Sequence, residues 1–313
     1  MTAQPAVLED YIARYSRWGL WGPDDQLGAM NLVGPEQIRA AAALVRDGQV
    51  ISLTMPYDQT GPQRGGLRSN PRLITTATGT DVLAGAQDRL GLGSLGFADD
   101  MVIMGTQTGT QWDALSHIFH KGRMWNGYSA AEHTSTGAAR NGIQHWSDRL
   151  VMRAVLVDLP VLRGIPALDD GYAITAGDIE EALAATGVSV QPGDALVVRT
   201  GQMAARRGQW GDYAGGAAPG LSLYTVPWLF ENNIAAVATD TYGVEVSPNE
   251  IDEFQPLHQV AIVHMGLAFG EIFDLDALSA ACAADGRYEF MLAATPLKIT
   301  GAAGSPVGAV AIR

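Results

Sequence analysis

Four apolar runs constrain the fold of this chain more than any other feature: "RAVLVDL" (153–159), "GDALVVRTG" (193–201), "IAAVATDT" (234–241) and "FMLAATPLKI" (290–299). Each is continuously apolar rather than alternating, and each is bounded by turn residues. That pattern belongs to central strands of a sheet covered on both faces. Helical patterns separate the runs. In "ITAGDIEEALAATG" (174–187), Thr175 stands at an N-cap, acids fill the first turn and Gly187 closes the segment, as capping and dipole chemistry prefer. An α/β core follows.

The rest of the chain is read in the same way. "GPEQIRAAAALVRDG" (34–48) is a helix opened by Pro35 and closed by Gly48, and "QVISLTMPY" (49–57) is a strand by its alternation. Residues 1 to about 34, aromatic and polar by turns, read as an N-terminal arm. Residues 58–99 form a connection too long for a turn and rich in Gly, which points to a functional loop. A short strand, "MVIMGTQ", follows it. No internal repeat or low-complexity linker divides the chain, so residues 1–313 are expected to form a single domain.

Partners are limited by charge. Twenty Lys and Arg against 33 Asp and Glu give a net charge of −13, which repels phosphate backbones and anionic membrane surfaces; no nucleic-acid or membrane partner is expected. The one cysteine, Cys282, lies in an alanine-rich helical pattern and reads as a small buried thiol. The N-terminal segment has no basic start followed by an apolar block, and no apolar run approaches about 18 residues, so a cytoplasmic protein is expected.

The chemistry concentrates in "GTQTGTQWDALSHIFHKG" (105–122). Asp113 and His117 are four apart, as are Gln107 and Gln111, and a cation needs donors converging from a short, well-held segment. Glutamine is a poor ligand, so this loop holds a metal, has lost one, or is packing. The composition of "DALSHIF" predicts a helical turn, which places Asp113 and His117 on one face. His117 is either a ligand or a core histidine bonded to backbone. Glu271 interrupts an apolar stretch thirteen residues after His258. It needs a cation, a donor or a proton if buried, unless it caps a helix or meets solvent. His120 and Lys121 read as solvated, and His133 and His145 as possible pocket residues. His264 shares a core segment with Ile262 and Met265. Neither a nucleophile elbow nor a Gly-rich nucleotide motif is present.

The segment Gln107-Thr108-Gly109-Thr110-Gln111-Trp112-Asp113-Ala114-Leu115-Ser116-His117 resembles the signature H-x-G-T-H-x-D-x-P-x-H. That signature marks the cyclase-like metal-dependent hydrolases, a family that includes bacterial kynurenine formamidase and isatin hydrolase. "WGPDDQLGAMNLV", "GPQRGGLRSNP", "GDALVVRTG", "PLHQVAIVHMGLAFGE" and "PLKITGAAGSPVGAVAI" resemble further blocks of its larger members, in the same order. The resemblance implies a swivelling β/α/β core with a mixed sheet and a homodimer or homotetramer in which an arm or loop reaches a neighbour. It also implies hydrolysis of amide or lactone bonds in small ring compounds with zinc or manganese.

By the same resemblance, two histidines of a first metal site fall on Gln107 and Gln111. The shared acid falls on Asp113, and the second site on His117, His258 and Glu271. One divalent ion, Zn²⁺ or Mn²⁺, at Asp113, His117, His258 and Glu271 is therefore expected, with Gln107 and Gln111 turned to substrate or water. The same four residues also suit a metal-free acid/base network for hydrolysis, elimination or ring closure on a small ring compound, and the double glutamine change also suits a homologue that binds a small molecule without turning it over. Trp112 and Trp125 are either an aromatic wall for a planar cyclic substrate or ordinary core aromatics.

Overall fold

The computed structural model describes residues 4–313, with side chains from Val7 onward. Among these residues, nine strands join in one mixed sheet. Their order is Val50–Ser52, Val310–Ile312, Glu289–Ala293, Val151–Asp158, Ala195–Arg199, Ala236–Thr239, Ala268–Glu271, Gln111–Asp113 and Gly304–Pro306. The four strands from Val151–Asp158 to Ala268–Glu271 are mutually parallel, and antiparallel strands flank them on both sides. Of the run 290–299 only the part within Glu289–Ala293 is a strand, antiparallel and alternately buried, with Leu297 and Ile299 beyond it exposed. The other three runs are adjacent, parallel strands of this sheet. Their side chains, such as Val155, Val157, Leu196, Val198 and Val237, are wholly buried. The mixed α/β core is the expected one.

Helices Ala176–Thr186 and Val226–Glu231 connect successive parallel strands. The first begins as anticipated: Thr175 accepts from the Asp178 N–H, Asp178 returns a bond to the Thr175 N–H, and Gly187 ends it in the left-handed conformation. The helix at Pro35 is shorter than its pattern suggests and stops at Ala42, and the strand after it spans only Val50–Ser52. Cys282 is buried in the helix Asp276–Asp285, as expected.

The long connection is not an unstructured loop. It contains an antiparallel hairpin, Arg72–Ala77 with Asp99–Ile103, and a short helix, Gly79–Leu83. The hairpin stands off the core with Leu73, Met101, Val102 and Ile103 exposed. The N-terminal arm, whose first three residues lie outside the described residues, packs on its own chain. Leu8 and Tyr11 on the helix Gln4–Tyr15 are buried, the Arg17 N–H donates to the His264 carbonyl (2.8 Å), and Trp18 stacks on the His264 ring. Among the described residues no helix is long and apolar enough to cross a membrane.

Candidate active site

The site is built on three neighbouring strands. Gln111–Asp113 lies between Ala268–Glu271 and Gly304–Pro306, antiparallel to both, with Gln111 opposite Glu271 and Asp113 opposite both Phe269 and Gly304. Side chains alternate along a strand, so Gln111 and Asp113 share one face and Trp112 takes the other. Gln111 Nε2 donates to Glu271 Oε2 at 2.7 Å, a buried cross-strand bond. "DALSHIF" is therefore not a helical turn. Asp113 ends a strand, and a single turn closed by the His117 N–H on the Ala114 carbonyl (2.9 Å) follows it. That turn still brings His117 Nε2 within 3.8 Å of Asp113 Oδ1.

His258 comes from the helical segment that leads into Ala268–Glu271 and places Nε2 3.3 Å from Glu271 Oε1. Its Nδ1 bonds closely to Glu245, whose carboxylate also accepts from the backbone N–H groups of Leu257 (3.1 Å) and His258 (2.9 Å). One acid thus caps the helix start and fixes the ring. Asp113, His258 and Glu271 each bring a ligand atom within 4.8 Å of the others, and all three are buried. His117, expected in the same set, stands beside it rather than in it, with a side chain 22% exposed.

The electrostatics follow from burial. Desolvation pushes the Asp113 carboxyl up to about 6, with His117 opposing the shift and Glu271 adding to it. His117 is lowered by burial, against the pull of Asp113. For His258, burial pushes downward, but the bonds to Glu245 and Glu271 outweigh it and hold the ring up to about 10.

Buried polar atoms without partners mark this region. Asp113 Oδ1 and Gln111 Oε1 have none, although the second amide atom of Gln111 is committed to Glu271. Two carboxylates and one imidazole, with ligand atoms close together in a buried setting, fit a divalent cation. Glu245 behind His258 is the carboxylate–histidine arrangement that orients metal-binding rings.

Of the remaining expected residues, Gln107 lies at the edge of the site. Its Oε1 accepts from Thr106 (2.7 Å) and its Nε2 has no partner. It sits directly over Gly304, where a Cβ would come within 2.6 Å of that nitrogen. The two tryptophans are core aromatics. Trp112 is fully buried on the opposite face of the sheet, against Phe273, with Nε1 on the Ala294 carbonyl (2.8 Å). Trp125 is fully buried against Trp21, with Nε1 on Asp25 (3.0 Å). His120 is not a solvated residue, because it is half-buried and bonded through Nδ1 to His264 Nε2 (3.0 Å). His133 bonds through Nδ1 to the Ser116 carbonyl (3.1 Å), and His145 is half-buried.

Sequence reasoning missed Glu245, Arg68 and Tyr242. A lone acid between Val244 and Val246 was the available signal for Glu245; nothing local marks the other two. It also left open whether Glu271 capped a helix. Glu271 instead ends a buried strand, and Ile272 after it adopts a left-handed φ of 59°, rare for a β-branched residue. Bonds from Ile272 N–H to Thr241 (2.9 Å) and from Thr110 Oγ1 to the Ile272 carbonyl (2.6 Å) hold that conformation.

A mixed sheet whose adjoining strands and crossover deliver a buried carboxylate–imidazole cluster defines a cyclase-like α/β fold. The chain belongs to the putative cyclase family, whose model matches residues 51–246. A solved structure described as a novel cyclase is 38% identical and superposes with a TM-score of 0.87, covering 96% of this chain and 100% of that one. Isatin hydrolase A from Labrenzia aggregata, solved with benzyl benzoate, shares the fold at 20% identity and a TM-score of 0.62, over 88% of this chain and 97% of its own. A predicted metal-dependent hydrolase from Bacillus stearothermophilus does so at 18% and 0.51, over 85% and 98%. No curated protein sequence matches this chain.

Proposed function

We propose that this protein opens a small cyclic amide, imide or lactone with water, using one divalent cation, Zn²⁺ or Mn²⁺, held by Asp113, His258 and Glu271. The observation that carries this reading is the convergence of those three donors on one buried point, beside the unspent oxygens Asp113 Oδ1 and Gln111 Oε1. A cation bound there supplies an electrophile for the carbonyl and makes water more acidic. The chain's own residues do the rest. Glu245 keeps the His258 ring aimed at the centre, and Gln111 holds Glu271. His117, next to Asp113 and partly exposed, takes a proton from the attacking water. The new C–O bond forms at the carbonyl carbon, the ring C–N or C–O bond breaks, and His117 returns the proton to the departing nitrogen or oxygen.

Metal analysis of protein purified without a histidine tag tests this. Close to one equivalent is expected, whereas less than about a tenth of an equivalent, with turnover of a lactone and cyclic-amide panel surviving chelation, rejects it. That second outcome would favour a metal-free acid/base reading. The supporting observation there is the His258 ring, which already bridges Glu245 and Glu271 through both nitrogens.

We further propose that the chain assembles as a homodimer or homotetramer through the hairpin Arg72–Ala77 and Asp99–Ile103. An isolated two-stranded ribbon is marginal in water, and this one exposes Leu73, Met101, Val102 and Ile103. Light scattering should show an oligomer that dissociates in Leu73→Asp/Val102→Asp; a monomeric parent protein refutes the assignment.

A further inference from the structure

The centre and its rim have opposite chemical characters. At the base, acceptors are in surplus: Asp113, Glu271 and the Gln111 oxygen. At the rim, donors are. Arg68 is half-buried on the loop that precedes the hairpin, and its Nη1 bonds to the Gln107 carbonyl (3.1 Å), while Gln107 Nε2 has no partner. The guanidinium lies over the Tyr242 ring, 5.4 Å from its centroid. Among the described residues it pairs with no carboxylate, and its partners are the Gln107 carbonyl and Tyr242. Its charge is nevertheless felt at Asp113 and His117.

The loop carrying Arg68 is braced. Asn70 Nδ2 donates to the Gly61 carbonyl (2.9 Å), Asn70 Oδ1 accepts from the Gln63 N–H (2.8 Å), and Gln63 Nε2 donates to the Thr108 carbonyl (2.7 Å) inside the motif segment. An arginine held in place, stacked on an aromatic ring and lacking an acid is arranged for a planar anion from outside the chain. Asp113, His258 and Glu271 are buried, whereas His117, Arg68 and Tyr242 are partly exposed.

We infer that Arg68, backed by Tyr242, is the recognition point for a carboxylate on the substrate, so that the compound turned over is a small ring bearing an acid group away from its reacting carbonyl. The role in turnover rests on the hydrolase reading above; the anion site itself does not.

Binding of benzoate and of its neutral isostere benzamide, titrated by calorimetry into metal-loaded and chelated protein, tests the site. Benzoate should bind at least about tenfold more tightly than benzamide, and Arg68→Gln should abolish that preference while leaving benzamide affinity unchanged. Arg68→Lys should keep part of it, and Tyr242→Leu should weaken benzoate several-fold with the charge intact. If Arg68→Gln does not fold, these two variants decide the matter. Equal affinity for benzoate and benzamide overturns the inference. So does benzoate binding that vanishes on chelation but is indifferent to Arg68, since the anion would then be bound at the metal. Absence of turnover across the lactone and cyclic-amide panel would sink the hydrolase reading and leave the benzoate result untouched.

Discussion

Restoring both histidines, Gln107→His/Gln111→His, tests whether the two glutamines occupy an abandoned metal position. At Gln111 the native amide donates to Glu271 at 2.7 Å in a buried setting. A lost hydrogen bond to a charged group costs about 1.5–3 kcal/mol, but an imidazole can donate one ring N–H to Glu271 and so retain part of it. At Gln107 only the Thr106 bond is at stake, because Nε2 has no partner, and its loss costs about 1 kcal/mol. The metal-free double variant should therefore lose between about 1 and 4 kcal/mol. One additional cation, present at about a hundred times its dissociation constant, contributes about 2.7 kcal/mol and offsets much of this. Thermal denaturation with and without micromolar Zn²⁺ or Mn²⁺, alongside elemental analysis after dialysis, reads both quantities. A metal-dependent rise in melting temperature and about one extra equivalent over the parent protein are expected. A normally folded double variant that takes up no extra metal would refute the placement of Gln107 and Gln111 on the cation's side of the site.

Glu245→Gln should weaken metal binding by about 10- to 100-fold while leaving the fold intact, since it loosens the ring of His258 rather than removing a ligand; unchanged metal affinity would show that Glu245 serves only the helix start. Trp112→Phe removes the Nε1 bond to Ala294 on the far face of the sheet, so stability should fall by about 2 kcal/mol with metal content unchanged. Loss of metal in that variant would contradict the assignment of its face. At Asp285, burial pushes the carboxyl up, but bonds from Arg313 and Arg287 prevail and hold it at about 2, below its ordinary 3.8. A depressed carboxyl stabilises fully above its unfolded value and loses that contribution as pH falls toward about 2. Because Asp285 is one-third exposed, this amounts to about 1 kcal/mol or less. Asp285→Asn should lower stability at pH 7 and flatten the pH 4 to 2 limb of a denaturation series; an unchanged limb counts against the Arg313 pairing.

The chain announces its core locally. The runs at 153–159, 193–201 and 234–241, short, apolar and bounded by turn residues, fit buried strands, so an α/β sheet was legible without coordinates, whereas its mixed character was implied only by the family resemblance. Asp113 and His117 were legible too, because four residues of chain cannot carry them far apart. Their spacing predicts one helix face, whereas the pair straddles a strand end and a turn. Which face Trp112 takes depends on the register of Gln111–Asp113 against Ala268–Glu271, a long-range pairing that inverts every side chain when shifted by one. Glu271 read as an interruption because nothing nearby in sequence neutralises it; its partners, Gln111 and His258, are 160 and 13 residues away. Arg68 carried no local mark, and Glu245 only that of an acid between two valines, since an arginine without an acid partner and a ring-orienting carboxylate are defined by what folding sets beside them. A sequence records burial through periodicity, but convergence of donors on one point is a property of the closed sheet.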